Sequence, residues 1–447
     1  MVKKNLVYKK GTGEVVGYVR LEPVEKELAE LEKLLNADVY EASAPPGDLG
    51  TPPVASKFLC YMATTPCNNL QGVVVSFPVS SLTTESFGSK TWDVVGKMEQ
   101  KGLKVTAIEG DGNAINHPFF QSLPPITPTS SGVVYDTVNI FAPHRPIFLL
   151  NDPPHLLKTF RNNLRSSGMT RKMKTGKTLP PVRLLKKNGL FITWKTVLRL
   201  YEKYKGETVR KMFKLNQQDI FLNSYSVMNV GLAAHVLSRS MANAVRAEKW
   251  EGTDEFCNFC QYVNDFFDIL NGAHSFQAIK ERNPLFAYFT DPNDERYSML
   301  QKILSYFKEW EEEKNQLLLK ASERNTFFIT EATFAGLERT IEGFTGSSRF
   351  LFREGEASGK PVIISSKKYQ QDDIEHYFGR QRTLCGGNRH PDVDEALHNG
   401  NKLHAQKVLA VRGRKKGNCQ RKMDPVRLEE ISGPIPKRSR SLKRVSL

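Results

Sequence analysis

Short apolar runs dominate the first 165 residues, and their alternation and flanking turn residues predict β-strands. In chain order the runs lie at residues 6–8, 15–19, 56–64, 72–79, 104–112 and 146–155. Helical spacing occurs at residues 25–35 and in a segment that ends at Gly102, a typical helix C-terminus. The last two strands each close on an aspartate, Asp111 and Asp152. Because strand ends in such sheets converge in one crevice, a ligand site is predicted there.

The hydrophobic pattern changes to a helical period between Phe191 and Arg324. The predicted helical segments of this stretch are 192–204, 224–250, 254–270 and 294–320. Another helical segment follows at 332–344. This order of elements predicts an α/β RNase H-like domain that is interrupted by an all-helical insertion. The predicted boundaries are 1–165 and 326–405 for the two parts of the RNase H-like domain, 166–325 for the insertion and 406–447 for a disordered basic tail.

The segment YQQDDIEHYFGRQRTLCGG, residues 369–387, admits two interpretations. Asp372 and Glu375 have the spacing of a capping box, in which Asp372 would cap a helix and Glu375 would lie near its positive end. The same carboxylates, followed by Arg380 and Arg382, are also compatible with an active site. The local sequence favours the capping interpretation. Other segments of the chain are needed to distinguish a capping box from an active site.

Length, amino-acid composition and cysteine count limit the classes of protein that are possible. A chain of 447 residues with 39% hydrophobic and 25% charged residues is expected to form two or three globular domains. No apolar run approaches the length of a membrane span and the N-terminus has no signal core, so a cytosolic or nuclear protein is expected. The six cysteines are sparse, and Cys257 and Cys260 lack a second Cys/His pair, which argues against disulfides and a zinc site.

Charge points to a polyanionic partner. The net charge is +16, and residues 407–447 contain thirteen Lys and Arg against three acids, a pattern typical of nucleic-acid-binding or nuclear-localisation tails. A second basic zone between Asp152 and Glu202 contains twelve Lys and Arg and no acid. The side chains predicted to contact DNA phosphates are Lys158, Arg161, Arg165, Arg171, Lys172 and Lys174.

Eight segments between Leu6 and about Leu409 occur in an order that is specific to one family. They are LVYKKGTGEVVGYV, VTAIEGDGNAINHPFF, LLNDPPHLLKTFRNNL, MFKLNQQDI, GLAAHVLSRSMANAV, YVNDFFDILNG, TFAGLERTIEGF and QQDDIEHYFGRQRTLCGGNRHP. In this order they resemble P-element-type transposases, including the vertebrate THAP-domain relatives. The resemblance implies an RNase H-like catalytic fold, a helical guanine-nucleotide-binding insertion, and DNA cleavage and joining with two metal ions.

The resemblance also implies site residues. The family's second catalytic aspartate falls on Asp111 and its glutamate on Glu375, so both are expected to bind Mg²⁺ or Mn²⁺. The family's first aspartate, its zinc-binding THAP module and its coiled coil would precede Met1. The chain as written is therefore expected to be truncated or catalytically impaired. Asp152 is the alternative third ligand, although Asp before Pro-Pro is also an ordinary turn residue.

Nucleotide contacts of the family match Lys214, Val230 and Asp268, and they imply GTP binding. No Walker-type GxxxxGK[ST] motif occurs in the sequence. The polar residues that recognise guanine in the family are not evident around YEKYKGETVRK. The structural alternatives are a solvated lysine at Lys214 and a helix-surface acid at Asp268.

Two functions remain open from the sequence. The first is a transposase that cleaves and transfers DNA strands with Mg²⁺ or Mn²⁺ and is expected to be nuclear and homo-oligomeric. The second is a non-catalytic DNA-binding regulator derived from a transposase. No membrane partner is expected.

Overall fold

The computed structural model describes residues 2–4, 6–9, 14–19, 54–67, 71–112, 115–172, 178–207, 212, 214–272, 278, 282–386 and 390–413. The predicted helix at 25–35, Lys174 and residues 414–447 of the predicted tail lie outside this set. In the part of the chain that is described, every helix is too short or too polar to span a membrane.

The strands are short and form several small sheets. They are β1 (Val7–Lys9), β2 (Glu14–Val16), β3 (Lys57–Thr64), β4 (Gln71–Val79), β5 (Ala107–Gly110), β6 (Asp136–Val138), β7 (Pro146–Asn151), β8 (Arg171–Lys172), β9 (Thr178–Leu179), β10 (Lys186–Lys187) and β11 (Leu190–Phe191). Antiparallel pairing joins β1 to β2, β3 to β4, β8 to β9 and β10 to β11. The six strands predicted from the sequence are thereby confirmed, and β6 and β8–β11 are additional.

The sheet that positions the candidate site has the order β5-β7-β6. Strands β5 and β7 run parallel, and β6 is antiparallel to β7. Alternate residues of β7 enter two different cores, with Ile147 and Leu149 on one face and Phe148 and Leu150 on the other. Because β7 is covered on both faces, its sequence is a continuous apolar run. The parallel pairing also brings the ends of β5 and β7 to the same edge of the sheet.

The helices account for most of the chain after residue 152. They are α1 (Thr84–Gln100), α2 (Asn116–Ser122), α3 (Pro153–Ser166), α4 (Trp194–Tyr204), α5 (Gln217–Ile220), α6 (Val230–Val236), α7 (Arg239–Glu248), α8 (Asp254–Leu270), α9 (Glu295–Asn315), α10 (Ala321–Arg324), α11 (Glu331–Ala357), α12 (Asp372–Leu384) and α13 (Val393–Gly413). The single helix predicted at 224–250 was wrong. The chain breaks after Val236, because the Ser238 hydroxyl accepts a hydrogen bond from Met241 N and begins α7.

One hydrophobic core connects the sheet with the helical segment. It contains Leu150 of β7 and Phe160 of α3 together with Phe266 of α8, Phe307 of α9 and Phe344 of α11. The helical residues between 166 and 325 therefore share buried side chains with the strand and helix that precede them. The predicted domain boundaries remain a prediction.

Helix α11 packs directly on β7 at Gly343. A Cβ atom at this position would lie 2.2 Å from the carbonyl oxygen of Leu149, which belongs to the β7 backbone. We expect Gly343→Ala to lower the free energy of unfolding by about 3 kcal/mol, because neither backbone can move without disturbing the core. Chemical denaturation measures the change. The matched control is Gly379→Ala in α12, where nothing lies within 4 Å of the added Cβ. The control should be neutral or slightly stabilising, and a similar loss in both variants would contradict the packing argument.

Candidate functional site

Asp111 lies directly after β5 and is held by α2. The Asn116 side-chain amide donates to Oδ1 of Asp111 at 2.7 Å and to its backbone carbonyl at 2.8 Å. Gly110 makes this possible, because a Cβ there would lie 2.7 Å from Nδ2 of Asn116. The Asp111 carboxylate is therefore fixed at the sheet edge with its second oxygen outside this interaction.

Asp152 joins the three elements that meet at this edge. Its backbone N–H donates to the carbonyl of Gly110 at 3.1 Å, which links the ends of β7 and β5. Its Oδ2 accepts from His155 N at 2.9 Å and so caps α3, while its Oδ1 accepts from Gln371 N at 3.1 Å at the start of α12. Both carboxylate oxygens are engaged by backbone groups. The turn interpretation of Asp152 is confirmed, and its role as a metal ligand stays a prediction.

The environment of Asp152 has opposing effects on its ionisation. Burial raises its pKa to about 6, although the two backbone donors and the nearby Lys158 favour the carboxylate. Only 3% of Asp152 is exposed, so the ionised form loses most of its hydration. His155 lies close by, and burial and Lys158 lower the pKa of its imidazole against the opposite influence of Asp111 and Glu375.

Helix α12 begins one residue earlier than the capping-box interpretation requires. Gln371 occupies the N-cap position, without a side-chain capping bond, and Asp372 is the first helical residue. Asp372 instead forms an ion pair with Lys367 at 3.2 Å. The predicted capping box was therefore wrong, because Asp152 takes the backbone N–H of Gln371 and Lys367 attracts the Asp372 carboxylate. Glu375 is exposed in the first turn of α12.

Glu109 is a further acid next to Asp111. It is the third residue of β5, and its Oε1 is buried without a hydrogen-bond partner in the described part of the chain. Burial raises the pKa of Glu109 well above its usual range, and the surrounding carboxylates raise it further. Those carboxylates belong to Asp152, Asp111, Asp372 and Glu375. Asp111 and Glu375, 264 positions apart in the sequence, thus act on the same buried group.

Sequence reasoning did not single out Glu109. The available signal was an acid in an otherwise apolar strand, two positions before Asp111. Within the residues that the structure describes, no three acidic, histidine or cysteine side chains stand in position to hold one metal ion. The roles of Asp111 and Glu375 as ligands of a divalent cation therefore stay a prediction.

A cavity of about 410 Å³ lies beside Asp111, between β3 and β5. Consecutive residues line it from both sides, at 58–64 and 104–111. A strand face would contribute alternate residues, so the cavity lies between the edges of the two strands. Among the described strands, β3 pairs only with β4, and β5 pairs only with β7. Val2 N donates to the carbonyl of Ser56 at 2.9 Å, which brings the start of the chain next to β3.

The predicted nucleotide contacts lie on three elements of the helical segment. Lys214 is exposed in the turn before α5, and Val230 is the half-buried first residue of α6. Asp268 lies near the end of α8, where its Oδ2 accepts from Asn283 at 2.8 Å and from Asn264 at 2.9 Å. Burial raises the pKa of Asp268 to about 6, against these two donors. Asp268 is thus a half-buried, hydrogen-bonded acid of a helix, and nucleotide binding by the three residues stays a prediction.

The structure corrects part of the predicted DNA-contact set. Arg161 is fully buried and donates to the carbonyl of Val227 and to the Asn162 side chain. Lys158 is also buried, with 8% exposure, so neither side chain offers a surface to a phosphate. Arg165 is half-buried and donates to the carbonyl of Leu222 at 3.1 Å. The backbones of Arg171 and Lys172 form β8, and their DNA contacts remain a prediction together with that of Lys174.

Two comparisons with known proteins indicate the class of this fold. Residues 154–283 match the family described as TNP-like, GTP-binding insertion domain. The fold as a whole matches the solved structure of the Drosophila P element transposase strand transfer complex with a TM-score of 0.65 and 19% identity, over 90% of this chain and 74% of that chain. The chain therefore has the fold of a DNA transposase.

A curated relative supports the same class at the level of sequence. The chain is 23% identical over 307 residues to the Transposable element P transposase of Drosophila melanogaster, which is 67% of this chain and 35% of the relative. The match thus spans about a third of that protein. The three comparisons agree, and they confirm the predicted relationship to P-element-type transposases.

Proposed function

We propose that the protein is a P-element-like transposase that acts on DNA by metal-dependent cleavage and strand transfer. The observation that carries the proposal is that Asp152 links the end of β5, where Asp111 follows, to Gln371 at the start of α12, the helix that contains Glu375. In this proposal an RNase H-like domain is formed by residues 1–165 and 326–405, and residues 166–325 are its helical insertion. A homo-oligomer in the nucleus is the expected context.

The cavity between β3 and β5 supports the RNase H-like arrangement. Two strand edges that face each other across such a space can both pair with one additional strand. In this proposal the additional strand is the one that carries the first catalytic aspartate in the family, where it precedes the segment similar to residues 6–19.

The residues of the site have distinct tasks in the proposed reaction. Asp111 and Glu375 would hold divalent cations, which activate the attacking oxygen and stabilise the leaving oxygen of the phosphodiester. Asn116 orients the Asp111 carboxylate, and Asp152 keeps α12 against the strand ends. Burial and the nearby Lys158 lower the pKa of His155, which favours its uncharged form. Loss of one carboxylate from such a site raises the barrier by several kcal/mol.

GTP is the proposed nucleotide of the helical segment. The match of residues 154–283 to a GTP-binding insertion family supports this, and Lys214, Val230 and Asp268 are the proposed contacts. The Asp268 carboxylate, already oriented by Asn264 and Asn283, is suited to accept hydrogen bonds from a base.

The function is tested by the activity of the 447-residue chain itself. We expect it to bind duplex DNA but to show no nicking or strand transfer above background with Mg²⁺ or Mn²⁺, because none of the segments that resemble the family contains a match to its first catalytic aspartate. A labelled duplex with the terminal repeats of the element serves as the substrate, and a gel shift on the same duplex measures binding. Efficient cleavage that is lost in Asp152→Asn would contradict this and assign the missing ligand role to Asp152.

The alternative is a DNA-binding regulator without catalysis, which the charge of the tail favours. Deletion of residues 414–447 removes eleven Lys and Arg and leaves α13 intact. We expect weaker non-specific DNA binding and a flatter dependence of log affinity on log salt, since each lost phosphate contact reduces the slope by about 0.9. Fluorescence anisotropy over a salt series measures the slope. The slope could instead stay unchanged in the tail deletion and be reduced in the double variant Arg171→Gln/Lys172→Gln. That result would locate DNA binding in the internal basic zone.

A further inference from the structure

A buried acid and a histidine join the helices next to Lys214 and Val230. Asp219 lies in α5 with no exposed surface, and its Oδ1 is 2.9 Å from Nδ1 of the half-buried His235 in α6. An ionised carboxylate only accepts hydrogen bonds, so Nδ1 of the imidazole carries a proton and donates it to this contact. The pair therefore ties α5 to α6.

The other oxygen of Asp219 holds the turn that contains Lys214. Oδ2 accepts from the backbone N–H of Asn216 at 2.7 Å, which closes a capping box at the start of α5. The side-chain amide of Asn216 in turn donates to the carbonyl of Lys214 at 3.4 Å. A chain of hydrogen bonds thus runs from the His235 imidazole to the backbone of Lys214.

Neither helix of this pair is long enough to fix its own position. Helix α5 has four residues, and α6 has seven, with Val230 as the first and His235 in the last turn. Helices this short gain too little from their own hydrogen bonds to be stable without tertiary contacts. The position of Lys214 relative to Val230 therefore depends on the contacts between α5 and α6.

Nucleotide binding by Lys214 and Val230 depends on the same relative position. A lysine attracts a phosphate by its charge, whereas a valine offers an apolar contact, so the two side chains suit different parts of one nucleotide. We propose that Asp219 and His235 are positioning residues of the nucleotide site, which hold Lys214 and Val230 in the arrangement that one GTP molecule contacts. The inference rests on the proposed binding of GTP. Such preorganisation raises affinity, because the ligand does not have to order the site.

Binding of a fluorescent GTP analogue to the purified 447-residue chain tests the proposal. His235→Ala removes the donor to Asp219, whereas His235→Asn keeps one, since the amide nitrogen of asparagine is bonded to Cγ as Nδ1 is. We expect His235→Ala to weaken binding about tenfold and His235→Asn to remain within about threefold of the unchanged protein. Asp219→Asn keeps the shape of the side chain but cannot accept both hydrogen bonds, so about the same loss as in His235→Ala is expected. This variant gives the same test should His235→Ala not fold.

Tyr306→Phe is the matched control for a loss of stability alone. The Tyr306 hydroxyl donates to Oε2 of the buried Glu255 at 2.9 Å, so this variant also takes a donor from a buried acid between two helices. Glu255 lies in the first turn of α8, about 20 Å along the helix from Asp268. We expect both Tyr306→Phe and His235→Ala to lower the melting temperature, and only His235→Ala to weaken binding of the GTP analogue.

Lys214→Ala separates the inference from the proposed function. If Lys214→Ala weakens binding of the analogue while His235→Ala and Asp219→Asn do not, the inference is overturned and the proposed GTP site stands. The inference is also overturned if His235→Asn binds as weakly as His235→Ala, because the hydrogen bond to Asp219 is then not the cause. If the unchanged protein does not bind the analogue, GTP binding and the inference both fail.

Discussion

Replacement of Arg339 by methionine is expected to lower the free energy of unfolding by about 4 kcal/mol, because the variant leaves several buried acceptors without a donor. Arg339 has no exposed surface and lies in the middle of α11. Its guanidinium donates to the carbonyl of Val134 at 2.7 Å, to Asn151 Oδ1 at 3.0 Å and to Gln121 Oε1 at 3.1 Å. It also lies 5.6 Å from the ring centroid of Phe120.

These contacts connect α11 with β7, with α2 and with the segment before β6. The side chain thus joins β7, which Asp152 follows, to α2, whose Asn116 holds Asp111. Methionine keeps much of the volume and removes the donors. Urea denaturation of Arg339→Met measures the loss, and Arg353→Met, at an exposed position of the same helix, is the matched control. Equal stability of the two variants would contradict the assignment of Arg339 as a buried connector.

The second large effect concerns Glu375. In a form of the protein extended upstream to include the family aspartate, Glu375→Gln is expected to reduce DNA nicking by about a thousandfold or more, because several kcal/mol of cation stabilisation are lost. Folding should be unaffected, since Glu375 is exposed in the first turn of α12 and makes no side-chain hydrogen bond or ion pair within the described residues.

Two controls define this result. Glu356→Gln, on the exposed face of α11, should retain full nicking activity. The melting temperature of Glu375→Gln should equal that of the parent protein. If Glu375→Gln nicks DNA as fast as its parent protein, Glu375 is not a catalytic residue.

Much of the site could be predicted from local sequence. The apolar runs that end at Asp111 and Asp152 identify buried strands, and parallel pairing then places both residues at one edge. The position of Glu375 came from the resemblance of its segment to the family. The start of its helix is linked to Asp152 by the hydrogen bond from Gln371, a contact over 219 positions that no local pattern indicates.

The wrong predictions have physical causes that also lie in tertiary structure. Arg161 belongs to a basic run that is typical of a surface, yet the carbonyl of Val227 and the core around α3 bury it. Asp372 has the spacing of an N-cap, but Gln371 occupies that position and the Asp372 carboxylate pairs with Lys367. The end of α6 before Ser238 was missed because the apolar period continues across it.

The most direct test of the account compares DNA nicking by the 447-residue chain with nicking by the upstream-extended form under identical conditions. Both proteins are incubated with a labelled duplex that carries the terminal repeats of the element, first with Mg²⁺ and then with Mn²⁺. We expect no nicking by the shorter chain and metal-dependent nicking by the extended form. Asp111→Asn should abolish the nicking by the extended form. Activity of the extended form that survives Asp111→Asn would contradict a site formed where β5 and α12 meet.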